Sequence, residues 1–271
     1  MEVPLEDFYE DIIGKAQRGL GLSDEAVASK AGISTADWKK ALNGAFDEAT
    51  ARAVAPVLNL NADALVAAGK KAWKPNPVDL VGLDQFNTPF DDMTVNAYVA
   101  WDPESKDAVL FDSGGNADPM IELVEGLGLK VQNILLTHTH PDHIYDLPKL
   151  QLRFPNVTTW VHESMQVENC KGFSDGKRFQ AGSLKIEARH TPGHSKDGVT
   201  FAITGLAKPV AIVGDAIFSG SMGGAPSAWK DALAVNREKI FSLPEDTIVC
   251  PGHGPMSSVG EESRHNPYYA S

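Results

Sequence analysis

Residues 137–143 read Thr-His-Thr-His-Pro-Asp-His. This stretch places three histidines and one aspartate within seven residues, and imidazole and carboxylate are ligands that suit zinc, iron or manganese. The apolar run 131–136 (VQNILL) directly precedes it and predicts a buried strand. The polar residues therefore lie where a strand ends and a helix, predicted over 143–154, begins, a common position for a site on an α/β scaffold. We interpret the stretch as a metal site rather than as a polar loop.

Four more polar residues lie just beyond predicted strands. Asp112 follows AVLF, His194 follows KIEARH through a Thr-Pro-Gly turn, Asp215 follows VAIVG, and His253 follows TIVC through Pro-Gly. Glycines beside these residues allow the backbone to approach a metal closely. Each residue alone is compatible with an ordinary turn. Their repeated placement at strand ends predicts that they form one site.

The motifs THTHPDH, TPGHS, GDAIF and PGHGP, preceded by FDSG, stand in the order found in the metallo-β-lactamase superfamily, which residues 78–271 resemble. Within that superfamily the chain looks most like the glyoxalase II-type thioester hydrolases, and its tail 260–268 (GEESRHNPY) resembles the end of their bacterial relatives. The resemblance implies an α+β chain whose catalytic part is an αββα sandwich. The site would lie along one edge of the two sheets.

The resemblance also implies two divalent metal ions, foremost Zn²⁺, with iron or manganese as alternatives. The implied ligands of the first ion are His138, His140 and His194. Those of the second are Asp142, His143 and His253, with Asp215 bridging. Two ions ~3.5–4 Å apart can share a hydroxide that attacks a carbonyl, so Asp142 and Asp215 are the expected catalytic carboxylates. Asp112 would orient a ligand imidazole through its free N–H instead of binding metal.

The implied function is metal-dependent hydrolysis of thioester or related ester bonds in a small-molecule substrate. Three departures affect the substrate. Residues 218–225 replace the Gly-Cys-Gly-Arg-like segment of glyoxalase II, its basic glutathione-binding residues have no obvious match, and residues 144–146 (IYD) stand where small glycines are usual. One alternative is a mononuclear iron persulfide dioxygenase that uses His138, His194 and Asp215. A lactonase is another, with Tyr145 helping to bind the substrate.

Residues 1–70 carry the periodicity and caps of about five short helices. Within them, residues 28–34 have the small residue, glycine and apolar residue of a helix-turn-helix, and the segment resembles the Xre/Cro-like domains. Residues 71–77, which contain two prolines, predict a linker. We therefore expect a small all-α helix-turn-helix domain at 1–70, a linker, and a catalytic domain at 78–271.

The role of the helical domain stays open at this point. Residues 1–75 contain nine Lys/Arg and eleven Asp/Glu, and the predicted recognition helix offers only Lys39 and Lys40 to DNA phosphates. Dimerisation, or covering of the catalytic domain, is at least as well supported as DNA binding. The competing hypothesis from another functional class is a ligand-sensing, DNA-binding regulator.

Composition limits the partners and the compartment. The formal net charge of -12 argues against a dominant nucleic-acid surface and against an anionic membrane. Two cysteines, Cys170 and Cys250, form no disulfide framework and fit a reducing compartment. The N-terminus lacks the features of a secretory signal and no run approaches 18 apolar residues. We expect a cytoplasmic protein without a membrane partner.

Overall fold

The computed structural model describes residues 3–270. The chain begins with five helices: α1 (Tyr9–Leu20), α2 (Asp24–Ala31), α3 (Thr35–Leu42), α4 (Glu48–Val54) and α5 (Ala62–Gly69). A polar side chain caps each of α2 to α5 by accepting the backbone N–H three residues on: Ser23, Ser34, Asp47 and Asn61. Gly21 and Gly32 end α1 and α2 in the left-handed conformation.

Two six-stranded sheets follow. Sheet A has the order β1 (Leu83–Phe90), β2 (Met93–Trp101), β3 (Asp107–Phe111), β4 (Lys130–Leu135), β5 (Thr158–His162) and β6 (Cys170–Phe173). Sheet B contains β7 (Arg178–Ala181), β8 (Leu184–His190), β9 (Val199–Thr204), β10 (Val210–Gly214), β11 (Ile248–Pro251) and β12 (Ser257–Ser258), and its order is β12-β11-β10-β9-β8-β7. The remaining helices are α6 (Asp118–Leu127), α7 (Pro141–Ile144), α8 (Leu147–Arg153), α9 (Trp229–Lys239) and α10 (Val259–His265).

The sheets pack face to face with helices on both outer sides. Because side chains alternate along a strand, Val210 and Ile212 of β10 enter the core between the sheets, whereas Ala211 and Val213 face the helices. On the far side of sheet A, Met120 of α6 and other apolar residues of α6 and α8 cover β2 to β5. The result is the expected mixed αββα arrangement of layers.

Two parallel strand pairs position the site. Strands β3 and β4 are parallel within sheet A, and β10 and β11 are parallel within sheet B. The carboxyl ends of paired parallel strands meet at the same edge of their sheet. At this edge the amide of Val199 donates to the Thr137 carbonyl over 2.8 Å, and the amide of Asn96 donates to the Gly252 carbonyl over 2.7 Å. These bonds join the two sheets beside the predicted ligands.

The helix predicted over residues 143–154 is interrupted. Helix α7 ends at Ile144 and α8 begins at Leu147. Pro148 lies in the first turn of α8, and a proline there has no N–H for the Ile144 carbonyl and would clash with it in a continuous helix. The break turns Tyr145 outward, where its side chain is 65% exposed.

The N-terminal helices share a hydrophobic core with the outer face of sheet B. Tyr9, Ile12 and Ile13 of α1 belong to the same buried cluster as Trp229 and Tyr268. The Tyr268 hydroxyl donates to the Ile12 carbonyl over 2.7 Å. Residues 71–77 are also held, because Asn76 donates to Glu261 through its amide N–H and its side chain. The helices therefore cover the two-sheet part of the chain, and across residues 3–270 no helix combines the length and hydrophobicity of a membrane span.

Replacing Gly19 with alanine tests this packing. A Cβ at Gly19 would lie 2.1 Å from the Trp229 ring, and overpacking of this kind costs about 1–3 kcal/mol. We expect Gly19→Ala to lower the free energy of unfolding by that amount, measured by denaturant titration. The control is Gly126→Ala in α6, where a Cβ meets nothing within 4 Å and helix propensity favours alanine. Equal stability of the two variants would contradict the shared core.

Candidate metal centre

All seven predicted ligands meet at the edge described above. Three overlapping groups have their ligand atoms within 4.8 Å of one another: His138, His140 and His194; His138, His143 and Asp215; and Asp142, His143 and His253. The first and third groups are the two sets expected from the sequence. Asp215 belongs to the group between them, which is the position expected of a bridging carboxylate.

The ring nitrogens converge closely. The Nδ1 atom of His140 lies 3.1 Å from Nε2 of His138 and 2.9 Å from Nε2 of His194. On the other side, Asp142 Oδ2 lies 3.2 Å from Nε2 of His253 and 3.4 Å from Nε2 of His143. Five imidazoles and two carboxylates thus direct their ligand atoms inward, toward a small volume.

Asp215 lies between the two sets of ligands. Its Oδ2 atom is 3.3 Å from Nε2 of His194 and its Oδ1 atom is 3.3 Å from Nε2 of His143. Oδ2 also lies 3.5 Å from Nε2 of His253. The carboxylate therefore faces histidines of both predicted sets and can serve both.

Local structure accounts for these positions. His140 is the extended N-cap residue of α7, and Pro141 occupies the first turn, where its missing N–H has no helical partner to lose. This turn directs Asp142 and His143 back toward the strand ends. A Cβ at Gly252 would lie 2.1 Å from Asp215 Oδ1 and 2.6 Å from His143 Cε1, so only glycine allows the turn after β11 to approach these ligands so closely.

Asp112 holds the outer side of the centre. Its backbone has a φ of +59°, which aspartate tolerates better than most residues. The Asp112 carboxylate accepts hydrogen bonds from the backbone N–H and the hydroxyl of Thr137, both over 2.7 Å, and it lies 2.9 Å from Nδ1 of His143. This contact leaves Nε2 of His143 facing inward. Asp112 thus contacts an imidazole and contributes no atom to the three groups of ligand atoms; its role in orienting that ring stays a prediction.

In three other histidines the outer ring nitrogen also contacts a polar group. The sequence did not reveal these partners. The outer Nδ1 atom lies 3.1 Å from Thr137 Oγ1 in His138, 3.1 Å from the Gly224 carbonyl in His194, and 2.7 Å from the Thr94 carbonyl in His253. Each contact directs Nε2 toward the centre and raises the basicity of the ring. Thr137 stands beside the ligands in the sequence, but backbone carbonyls have no sequence signature.

The electrostatics of the centre favour a cation. Burial lowers the pKa of His143, but the charges of Asp215 and Asp112 outweigh burial and raise it to about 10. Burial would raise the pKa of Asp215, but the neighbouring His143 holds it well below its ordinary value. Thus positive charge on His143 keeps the buried Asp215 carboxylate ionised, and a bound cation could supply that charge instead.

The residues fit divalent metal ions. Nε2 of His143 and Oδ1 of Asp215 are buried and make no hydrogen bond, which is costly for polar atoms unless another partner binds them. The donor set combines imidazole nitrogen with carboxylate oxygen, which zinc, iron and manganese accept. The fold and these clusters imply divalent metal binding.

The remaining predicted residues lie outside the cluster. Tyr145 directly follows α7, and its ring centroid lies 5.4 Å from that of Phe90 in an edge-on contact. Lys39 and Lys40 are exposed on α3, and Lys40 pairs with Asp37 over 2.9 Å. DNA binding through these lysines, the helix-turn-helix assignment and dimerisation through the helical region stay predictions.

Known proteins resemble part of the chain. The metallo-beta-lactamase superfamily model matches residues 90–169. The hydroxyacylglutathione hydrolase GloC of Haemophilus influenzae is 29% identical over 201 residues, covering 65% of this chain and 93% of its own. The crystal structure of the BLEG-1 B3 metallo-beta-lactamase has a TM-score of 0.59 at 28% identity, covering 70% of this chain and 100% of its own. For ETHE1 from Myxococcus xanthus the TM-score is 0.58 at 26% identity, with coverages of 69% and 84%.

Proposed function

We propose that this chain is a metal-dependent hydrolase of thioester or related ester bonds. Its place in the metallo-beta-lactamase superfamily is supported by the family model and by homologues. The observation that carries the proposal is the convergence of seven ligand atoms at one sheet edge. A relative named hydroxyacylglutathione hydrolase supports the thioester class. A small-molecule thioester is the substrate class that follows.

The proposed centre binds two divalent ions. His138, His140 and His194 would hold one ion, and Asp142, His143 and His253 the other, with Asp215 shared between them. When bound, two such ions activate a water molecule near neutral pH and polarise the carbonyl under attack. Zinc is the proposed metal, with iron or manganese accepted by the same donors.

The chain's own residues prepare this centre in defined ways. Asp112 and Thr137 contact Nδ1 of His143 and His138, which leaves Nε2 of both rings facing inward, where a bound metal would take the place of a proton. Burial would raise the pKa of Asp142, but a hydrogen bond from His253 holds it below its ordinary value. Asp142 is therefore an ionised carboxylate near neutral pH, and 13% of its side chain remains exposed. We assign Asp142 and Asp215 as the carboxylates nearest to the reacting atoms.

A second candidate uses part of the same centre. His138, His194 and Asp215 form a two-histidine, one-carboxylate set, with Asp215 Oδ2 at 4.0 Å from Nε2 of His138 and 3.3 Å from Nε2 of His194. This set would suit a mononuclear iron persulfide dioxygenase. A lactonase would use the whole centre, with the exposed Tyr145 and its neighbour Phe90 contacting the substrate at the rim.

Metal content and activity measured on one sample distinguish these functions. The chain is purified without added metal, metals are quantified per chain, and hydrolysis of S-lactoylglutathione and of a glutathione-free acyl thioester is measured. We expect close to two metals per chain and hydrolysis of at least one thioester, abolished by a chelator and restored by Zn²⁺. The alternative result is one iron per chain, no hydrolysis, and oxygen consumption with a persulfide. It would refute the proposed hydrolase and support the dioxygenase.

A further inference from the structure

The N-terminal segment 4–8 lies directly against one of the loops that carry the metal ligands. At Gly254, which follows His253, an added Cβ would lie 3.2 Å from the amide nitrogen of Glu6 and 3.6 Å from the Pro4 carbonyl. The backbone of this segment therefore packs on the turn that presents His253. This contact joins the start of the chain to the ligand-bearing edge of sheet B.

The same segment holds a second loop, 217–224, which follows the predicted ligand Asp215. The Asp7 side chain is 8% exposed and forms an ion pair with Lys15 of α1. The Ser221 hydroxyl donates to Asp7 over 2.5 Å, and Lys15 Nζ donates to the Met222 carbonyl over 3.0 Å. One largely buried ion pair from the N-terminal region thus binds two consecutive residues of the loop.

Contacts within the loop extend to two predicted ligands. Lys15 Nζ lies 5.0 Å from the centroid of the Phe218 ring, and this ring meets the His253 ring edge-on at 5.6 Å. Farther along the loop, the Gly224 carbonyl contacts Nδ1 of His194. A shift of the loop would therefore move one ligand of each predicted metal.

Contacts from the C-terminal part hold the opposite side of the loop. The Gly220 amide donates to the buried Glu262 carboxylate over 3.0 Å, and the Asn266 side chain donates to the Ser221 carbonyl over 2.7 Å. The loop is thus fixed from both sides. The Asp7–Lys15 pair is the contribution of the N-terminal region, which lies outside the segment matched by the family model.

We propose that Asp7 and Lys15 are positioning residues of the metal centre, which they stabilise by holding loop 217–224 in place. The proposal rests on the metal centre of the proposed function. Its physical basis is that displacement of the loop would break two hydrogen bonds to charged groups, from Ser221 to Asp7 and from Lys15 to the Met222 carbonyl, and such bonds are stronger than those between neutral groups. The N-terminal region is then a structural component of the catalytic centre.

The test measures metal affinity. Zn²⁺ and Co²⁺ are titrated into the metal-free full-length chain against a competing chelator, and the Co²⁺ absorption spectrum reports the ligand geometry. Support of metal ligands by neighbouring groups typically contributes about 10- to 100-fold in affinity, and we expect a loss of that size in Lys15→Met and Asp7→Asn. Lys15→Arg, which keeps the charge, should restore part of the affinity.

The control removes an ion pair elsewhere in the helical region. Arg52 and Asp63 lie 2.8 Å apart and are largely exposed, so Arg52→Met and Asp63→Asn should leave metal affinity unchanged. Should Lys15→Met fail to fold, Ser221→Ala tests the same link, because it breaks a hydrogen bond to Asp7 without stranding a charge. Unchanged affinity in folded Lys15→Met or Ser221→Ala, or an equal loss in the controls, overturns the proposal.

The outcomes separate this proposal from the proposed function. Wild-type chain that binds two metals but hydrolyses no thioester refutes the thioester hydrolase and leaves the affinity comparison decisive for Asp7 and Lys15. Hydrolysis in the wild type with unchanged affinity in the variants refutes only the positioning role. A wild type that binds no metal refutes both.

Discussion

Asp215→Asn is expected to remove most of the thioester hydrolysis and at least one of the two metals. Asp215 is the carboxylate that faces histidines of both ligand sets, and an amide carries no charge to compensate them. Breaking a buried ion pair typically costs about 3–5 kcal/mol, which corresponds to roughly a 10²- to 10⁴-fold loss if it is expressed in the transition state. Metal content per chain and kcat/KM for the thioester measure the effect.

A remote carboxylate provides the control for this substitution. Asp246 is exposed in the turn before β11, so Asp246→Asn has the same change in charge without touching the centre. It should keep both metals and wild-type kcat/KM. An Asp215→Asn enzyme that retained two metals and a tenth or more of the activity would exclude the bridging role.

Gly252→Ala is expected to disrupt the centre almost as severely, although alanine adds only one carbon. The new Cβ would overlap Asp215 and His143, and the backbone of Gly252 has little freedom to withdraw. Its N–H donates to the Gly214 carbonyl over 2.8 Å and its carbonyl accepts from Asn96 over 2.7 Å. Because misplacement of a catalytic group by about 1 Å can cost roughly 100-fold in rate, we expect a loss of at least that size in kcat/KM.

The matched control is Gly172→Ala in β6. A Cβ there lies 3.7 Å from Glu163, an ordinary contact distance. Both variants should give the far-ultraviolet circular dichroism spectrum of the wild type, and only Gly252→Ala should bind less metal. Full metal content and activity in Gly252→Ala would show that the edge is more adaptable than its contacts indicate.

The sequence was informative about the centre because the predicted ligands follow strands whose carboxyl ends lie at the same edge of the two sheets. Motifs such as TPGH and PGHG lie far apart in the chain, yet the sheet topology brings them to one edge. The αββα layers were predictable for a related reason, since the motifs imply a family and the family implies the fold. The ligand roles themselves stay predictions that metal analysis has to test.

Other features could not be predicted because tertiary contacts create them. The Thr94 and Gly224 carbonyls orient ligand imidazoles, but any residue type supplies a carbonyl. Strand β1 was not recognised because LDQFNTPF has no clear alternation, and its conformation depends on antiparallel pairing with β2. The contact of Asp7 with Ser221 joins residues 214 positions apart, which no local pattern reveals.

The hydrophobic core shared by the N-terminal helices and sheet B bears on the meaning of the predicted linker at 71–77. At this linker the sequence pattern changes from helices to strands, but one apolar core contains residues from both sides of it. Two segments that share one continuous core are expected to unfold cooperatively, as a single unit. Heating or denaturant should therefore unfold both parts in a single transition. The unit that folds is longer than the segment that the superfamily model matches, and the extra length contributes to its stability.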